Sequence, residues 1–232
     1  MTMHKCFNSN QHVASQKKYS GEALPGSAVK MESALSYVNF SKHALRGSTN
    51  AGVSLAEQAV SGLLLLRANN DKSKLNTALL SVLELALPGT LGSNTSAGSD
   101  HNASLCIRWM SPDEWLLSCP LANAYSIESQ LREALQSASY AIVNVSGGFT
   151  VLRLRGPHAL NVLKKSVTYD VHPEHFSVGK VVNTVFAKAQ VTMMCCGHED
   201  YELIVRRSFA DYVWTWLQVA SREYGLDLIC DN

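Results

Sequence analysis

A few stretches of this 232-residue chain carry residue types whose spacing could do chemistry. "HPEH" sets His172, Glu174 and His175 within four positions, two imidazoles and a carboxylate that could form one edge of a metal site. Pro173 works against a regular helix that would present both imidazoles on one face, and no third ligand stands nearby; "CCGH" is separated from it by three strands' worth of chain. Cys195 and Cys196 sit in an apolar strand, where a thiol is ordinarily buried and inert. "GSTNAGVS" (47–54) has the two glycines of a phosphate loop. Valine and serine follow, however, where lysine and Ser/Thr would have to grip the β- and γ-phosphates. Gly147–Gly148 lacks the rest of a dinucleotide fingerprint and reads as a turn between strands. Ser146 has no base that the sequence can pair with it, and Asp113 and Glu114 read as turn carboxylates. The expectation is a chain with no catalytic residue, no cofactor-binding residue and no metal ligand of its own.

Composition narrows the class of partner. The chain is 46% hydrophobic and 17% charged, with a formal net charge of +1, so it has no electrostatic reason to seek nucleic acid or an anionic membrane. No apolar run reaches the roughly 18 residues that would span a bilayer. The N-terminal "MTMHKCFNSNQHVASQKK" lacks the apolar core of a secretory signal. Six cysteines without a CxxC pair read as reduced thiols, which points to a cytoplasmic protein.

The elements that must position these residues follow from their periodicity. Residues 1–35 are polar and aperiodic and read as an extended or flexible N-terminal arm, with irregular chain continuing to about 55. "SGLLLLRA" (61–68) is a buried strand, and "DKSKLNTALLSVLEL" places Leu75, Leu79, Leu80 and Leu83 at helical spacing. "LPGTLGSNTSAGSDHN" (87–102) reads as a loop. In "SLCIRWMSPDEWLLSCP", Leu105, Ile107 and Trp109 alternate with Cys106, Arg108 and Met110, the period of a half-buried strand. Ser-Pro-Asp-Glu at 111–114 then supplies the turn of a hairpin. A helix with Ile127, Leu131 and Leu135 on one stripe and the strand "YAIVNV" complete a first half.

The second half runs through the strand "FTVLRLRG", a helix opened by Pro157, and the loop "YDVHPEHFSVGK". The strands "VVNTVFAKA", "VTMMCC" and "YELIVRR" follow, with a closing helix from Ser208. Strand, acidic turn, aromatic, apolar strand and helix recur in both halves. This pattern predicts an α+β protein: one domain over 36–232, built of two ferredoxin-like subdomains at about 55–145 and 146–232.

The closing unit, "YELIVRRSFADYVWTWL" (201–217), also predicts where another protein would bind. Ser208 can cap the helix, with Asp211 in its first turn. Phe209, Tyr212, Val213, Trp216, Leu217, Ala220 and Tyr224 cluster on one arc, the expected core face, at about 100° per residue. Trp214 falls roughly 110° from that arc, beside Gln218 and Ser221. Tryptophan and arginine are enriched at interfaces, so Trp214, Gln218, Arg206 and Arg207 are the candidate subunit contacts. Trp109 and Trp115 are of the same residue class, but the alternation assigns Trp109 to the core.

Taken together, "RWMSPDEWLLS", "GFTVLRLRGPHALNVLKKSVTYDVHPEHF", "KAQVTMM" and "YELIVRRSFADYVWTWL" resemble the gamma subunit family of heterotetrameric sarcosine oxidase. The "PDEWLL" hairpin, the "D-x-HP-x-x-F" loop and the "VRRSFADY-x-W-x-WL" unit are specific in combination, and the resemblance is strongest over residues 105–225. It implies a body similar to the folate-binding domain of the glycine-cleavage T-protein. It also implies a structural, non-catalytic role beside alpha, beta and delta subunits. The complex would oxidise sarcosine to glycine, pass the one-carbon unit to tetrahydrofolate and form hydrogen peroxide. FAD, FMN, NAD, tetrahydrofolate and zinc are then expected in the partner subunits. The equivalent subunit of a related N-methyl amino-acid dehydrogenase, a stand-alone folate-binding one-carbon protein, and a transient assembly factor are the alternatives.

Overall fold

The computed structural model describes residues 32–38, 51–68, 71–97, 105–136 and 138–230. Residues 1–31 lie outside the described residues, and with them most of the arm expected over 1–35. Ser33–Asn232 forms one compact unit. The arm's expected end already belongs to that unit, because Leu35 is fully buried in its core.

The strands are β1 (Val53–Glu57), β2 (Gly62–Arg67), β3 (Asn94–Ser96), β4 (Cys106–Ser111), β5 (Glu114–Cys119), β6 (Ala141–Asn144), β7 (Phe149–Arg155), β8 (Val181–Phe186), β9 (Ala189–Gly197), β10 (Asp200–Arg206) and β11 (Leu226–Cys230). The helices are α1 (Lys72–Leu83), α2 (Ala124–Ala134), α3 (Ala159–Ser166) and α4 (Ala210–Ser221). The first sheet has the order β3-β4-β5-β2-β6 and the second β11-β1-β7-β10-β9-β8. Without the edge strand β3, the first sheet and its two helices have the ferredoxin-like arrangement. Strand β3 lies inside the stretch expected to be a loop.

The second sheet corrects the expected halves. β1 does not join the first half, although the boundary near residue 55 would place it there. It lies between β7, to which it is antiparallel, and β11, to which it is parallel. The first half proper therefore begins at β2. Gly52 and Gly156 make this insertion possible. Gly156 has φ +115°, and a Cβ there would lie 2.6 Å from the Gly52 carbonyl oxygen. The Gly52 N–H bonds to the Tyr224 carbonyl and its own carbonyl accepts from His158. The described end of "GSTNAGVS" is thus a backbone crossing.

Helices α1 and α2 cover the outer face of the first sheet, joining Leu64, Leu66, Ile107, Trp115 and Leu117 in one core. Trp109 stacks on Trp115 at 5.9 Å on this same face, so its assignment to the core side holds. Helices α3 and α4 cover the second sheet over Leu55, Leu152, Leu154, Leu203 and Val205. The two inner faces meet each other through Leu63, Leu116, Val151 and Ile204. Strands read as half-buried are therefore buried on both sides, as Arg108, at 3% exposure, makes plain.

Helix α4 is rotated from its expected setting. Its buried set is Ala210, Val213, Trp214, Leu217 and Ser221, with Trp214 only 1% exposed. Trp214 is a core residue and not a surface contact. The physical reason is size matching. Ala210 and Ser221 are small enough to bring the helix close to the sheet, and Trp214 fills the space between them. Phe209, Trp216 and Val219 are left exposed. The expected cap at Ser208 is also absent: Arg207–Phe209 is a 3₁₀ turn, no side chain caps α4, and Asp211 instead accepts from Tyr37. Pro157 likewise lies in the turn before α3, whose N-cap is His158.

Trp214→Ala should cost about 3–5 kcal/mol, the range for emptying a buried tryptophan site, whereas Gln218→Ala should stay within about 0.5 kcal/mol. Urea unfolding of the two variants checks the assignment, and a Trp214→Ala chain as stable as the parent would refute it.

Candidate partner interface

The layer between the sheets is where charged side chains gather. Arg108 of β4 donates through Nη2 to Glu202 Oε1 of β10 at 2.5 Å, and through Nη1 to Ser118 Oγ at 2.9 Å. Glu202 lies directly across the strand pair from Arg153, whose Nη1 stands 3.5 Å from Glu202 Oε2. Arg153 in turn grips Asp200 through Nε at 2.5 Å and Nη2 at 2.7 Å, and Arg155 Nε adds a third contact to Asp200 at 3.1 Å. Three guanidiniums and two carboxylates thus form a chain from one sheet to the other.

Beside this chain the gap is closed by Cys106, Val181, Met194 and Cys196. Burial pushes the Cys196 thiol far above the ordinary range and also raises Cys106 and Cys195. These thiols are inert fillers. Cys195 faces the helical side of the second sheet and Cys196 the inner side, as alternation along β9 requires.

At its other end the gap opens into a cavity of about 350 Å³, lined by Leu65, Met110, Phe149 and Ile204, with Glu114 and Arg206 among its polar residues. The Arg206 guanidinium lies over the Phe149 ring, 5.5 Å from its centroid. Arg207, the next residue, points elsewhere and donates to the Ser33 carbonyl at 3.2 Å. Gln218 is half-buried on α4, about 160° around the helix from Trp216. The four candidate contacts therefore do not form one patch. Arg206 faces the open gap, Arg207 holds the N-terminal segment, Gln218 flanks α4, and Trp214 is internal.

Sequence reasoning missed the exposed stripe on α4. Phe209, Trp216 and Val219 are exposed, and the Tyr212 ring lies 6.4 Å from Trp216. The remaining reactive types serve local structure. Ser146 Oγ accepts from the Leu63 N–H at 2.9 Å and donates to Asn144. Asp113 and Glu114 both pair with Arg67. His172 and His175 stand beside Glu174 and Asp170 at 3.7 and 3.6 Å, with ring centroids 6.4 Å apart. Among the described residues no cluster of three or more His, Cys, Asp or Glu side chains could hold a metal ion, and no helix is long and apolar enough to cross a membrane.

Comparison with known proteins gives a consistent result. The model of the sarcosine oxidase, gamma subunit family matches residues 67–223. Sarcosine oxidase subunit gamma of Corynebacterium sp. (strain U-96) is 30% identical over 173 residues, covering 75% of this chain and 81% of that protein. The Arthrobacter sp. subunit gamma is 28% identical over 180 residues, covering 78% and 85%. Among solved structures, the heterotetrameric sarcosine oxidase from Corynebacterium sp. U-96, in complex with pyrrole 2-carboxylate, aligns with a TM-score of 0.72 at 27% identity. It covers 84% of this chain and 96% of that one. The glycine cleavage system aminomethyltransferase T of Bartonella henselae aligns with a TM-score of 0.57 at 14% identity over 78% of this chain and 48% of that one, a likeness of fold.

Glu202→Ala should destabilise the chain by about 3–5 kcal/mol, because it leaves the Arg108 guanidinium buried without its counter-charge. Replacing Arg108 by Met and Glu202 by Leu together should cost less than the single change, a non-additivity that urea unfolding of the three chains would detect. The Tyr37 hydroxyl donates to Asp211 at 2.6 Å, and that bond pushes the phenol pKa up from 10.0 to about 12. The contribution of this bond is complete below the unfolded pKa and vanishes as pH rises through about 12. Tyr37→Phe should remove this part of the alkaline dependence of stability, and an unchanged profile would contradict it.

Proposed function

The chain belongs to the sarcosine oxidase gamma subunit family, and from that premise we propose that it is the non-catalytic gamma subunit of a heterotetrameric sarcosine oxidase. In this reading the complex demethylates sarcosine oxidatively to glycine, passes the one-carbon unit to tetrahydrofolate, and delivers electrons through flavins to oxygen, forming hydrogen peroxide. The alpha, beta and delta subunits are its partners in the cytoplasm, and they hold FAD, FMN, NAD, tetrahydrofolate and zinc.

One observation supports the structural role above others: the reactive side chains described are committed to holding the fold. Arg108, Arg153, Asp200 and Glu202 pair with one another, Ser146 satisfies a strand N–H, and Cys106, Cys119, Cys195 and Cys196 are buried. Exposed apolar area remains in their place, on Phe209, Trp216 and Val219 of α4. That is the residue type that stable subunit contacts bury. We assign the gamma contact to this stripe together with Arg206, Arg207 and Gln218.

A folate-binding one-carbon protein of the T-protein type is the rival. It needs a carboxylate free to meet a pterin, whereas Glu114, the carboxylate lining the inter-sheet cavity, is paired with Arg67 at 3.4 Å.

Size-exclusion chromatography of the chain alone and co-expressed with its three partners, following flavin absorbance, tests the proposal. The chain alone should elute colourless and inactive towards sarcosine, and in co-expression it should elute with the flavin. Turnover by the isolated chain, or micromolar binding of tetrahydrofolate to it, would overturn the structural role.

A further inference from the structure

We infer that the open end of the gap between the two sheets is a docking groove for an extended segment of a partner subunit, apolar in its inserted side chains and bearing a carboxylate that pairs with Arg206. This rests on the gamma-subunit reading and names the site through which that reading would operate.

Three observations carry it. First, the apolar surface does not stop at the cavity. Val143 lies opposite Leu65 in the register and is 50% exposed, and Val185 lies opposite Gln190 and is 49% exposed. Both belong to edge strands, β6 of the first sheet and β8 of the second. The inner faces of both sheets thus run on as exposed apolar surface to either side of the 350 Å³ space. A small ligand would fill the cavity and leave that surface wet; an extended chain crossing the gap would cover it.

Second, Arg206 is uncommitted. It stacks on Phe149 but has no carboxylate partner among the described residues, while the nearby Glu114 is held by Arg67. A guanidinium fixed by a ring and lacking a counter-ion favours an incoming carboxylate.

Third, apart from Arg206 and the exposed Gln190, the polar side chains lining the cavity are engaged internally. Asn183 donates to the Met110 carbonyl at 3.0 Å and accepts from Thr192 Oγ1 at 2.7 Å. Few convergent donors and acceptors remain to orient a small polar molecule. An apolar anchor next to one acidic residue matches what is left.

The test uses the assembled complex. A photoreactive benzoylphenylalanine replaces Val143 or Val185, with Tyr125, exposed on the outer helix α2, as background. Both groove positions should cross-link, well above Tyr125, to one segment of a partner subunit that contains an Asp or Glu. Arg206→Glu should weaken retention of the chain in the complex about tenfold or more, and Arg206→Lys should weaken it less. Groove cross-links no stronger than Tyr125 in an intact complex, or cross-links only within the chain itself, would overturn the inference and leave the gamma-subunit reading standing. A small molecule found in the cavity by native mass spectrometry would do the same. Failure of the unmodified chain to co-elute with its partners would remove both.

Discussion

The pairing of Arg108 with Glu202 is the interaction on which the rest of the molecule depends, because it crosses from one sheet to the other. Each half is a sheet with two helices on one face, and each leaves a second face to be covered. Stacking those faces buries apolar area without direction; a sheet could slide over its neighbour and lose little. Charges change this. Moving each ion out of water costs several kcal/mol unless a partner meets it in good geometry. Glu202 has Arg108 at one oxygen and Arg153 near the other, while Asp200 holds the other side of Arg153. Sliding the sheets by one strand position would leave Arg108 facing apolar side chains. The network therefore selects one stacking of the two halves more than it adds net stability.

The second tie is β1, which carries the chain's N-terminal part into the other half before the first half has begun. At its end, Glu57 is buried and accepts from the Leu35 N–H and from Thr150 Oγ1 of β7 at 2.6 Å. Leu35 packs in the core with Val213, Trp214 and Leu217 of α4, and the residues on either side of it are fixed by Tyr37 to Asp211 and by Arg207 to Ser33. The halves are thus joined by a strand as well as by packing, and neither is a separate folding unit in the plain sense of its sequence limits.

Much of this was legible from local pattern. The hairpin of β4 and β5, the helix stripe of Ile127, Leu131 and Leu135, and the three strands β8 to β10 all stand where their periodicity placed them. Local pattern failed where burial came from distant chain. Alternation in β4 marks one apolar face, and nothing in "CIRWM" says that Arg108 has Glu202 waiting 94 residues away. β1 has five residues and no alternation to distinguish it from irregular chain. On α4 the apolar arc is broad, and aromatic bulk drew the expected core towards Phe209 and Trp216. The inner face was marked instead by the small residues Ala210 and Ser221, which hydrophobicity does not weight. The signal that could have helped was charge pattern: Arg153, Glu202 and Arg108 lie in otherwise apolar strands, each too isolated in sequence to be a solvated face.

These same misreadings bear on function. A charge in an apolar strand is ordinarily a candidate for chemistry, and here such charges cancel in pairs across the sheet interface. Once Arg108, Arg153, Asp200 and Glu202 are accounted for, what distinguishes the molecule is where cancellation stops. Towards Cys196 the gap is filled by sulfur and methyl groups. Towards Arg206 the gap opens into the cavity, a guanidinium has no carboxylate partner among the described residues, and valines on both edge strands stay exposed. A monomer evolved to stand alone would gain by filling that end with larger apolar side chains. Leaving it open costs stability in isolation, which is the expected arrangement for a chain whose folding is completed by the subunits around it.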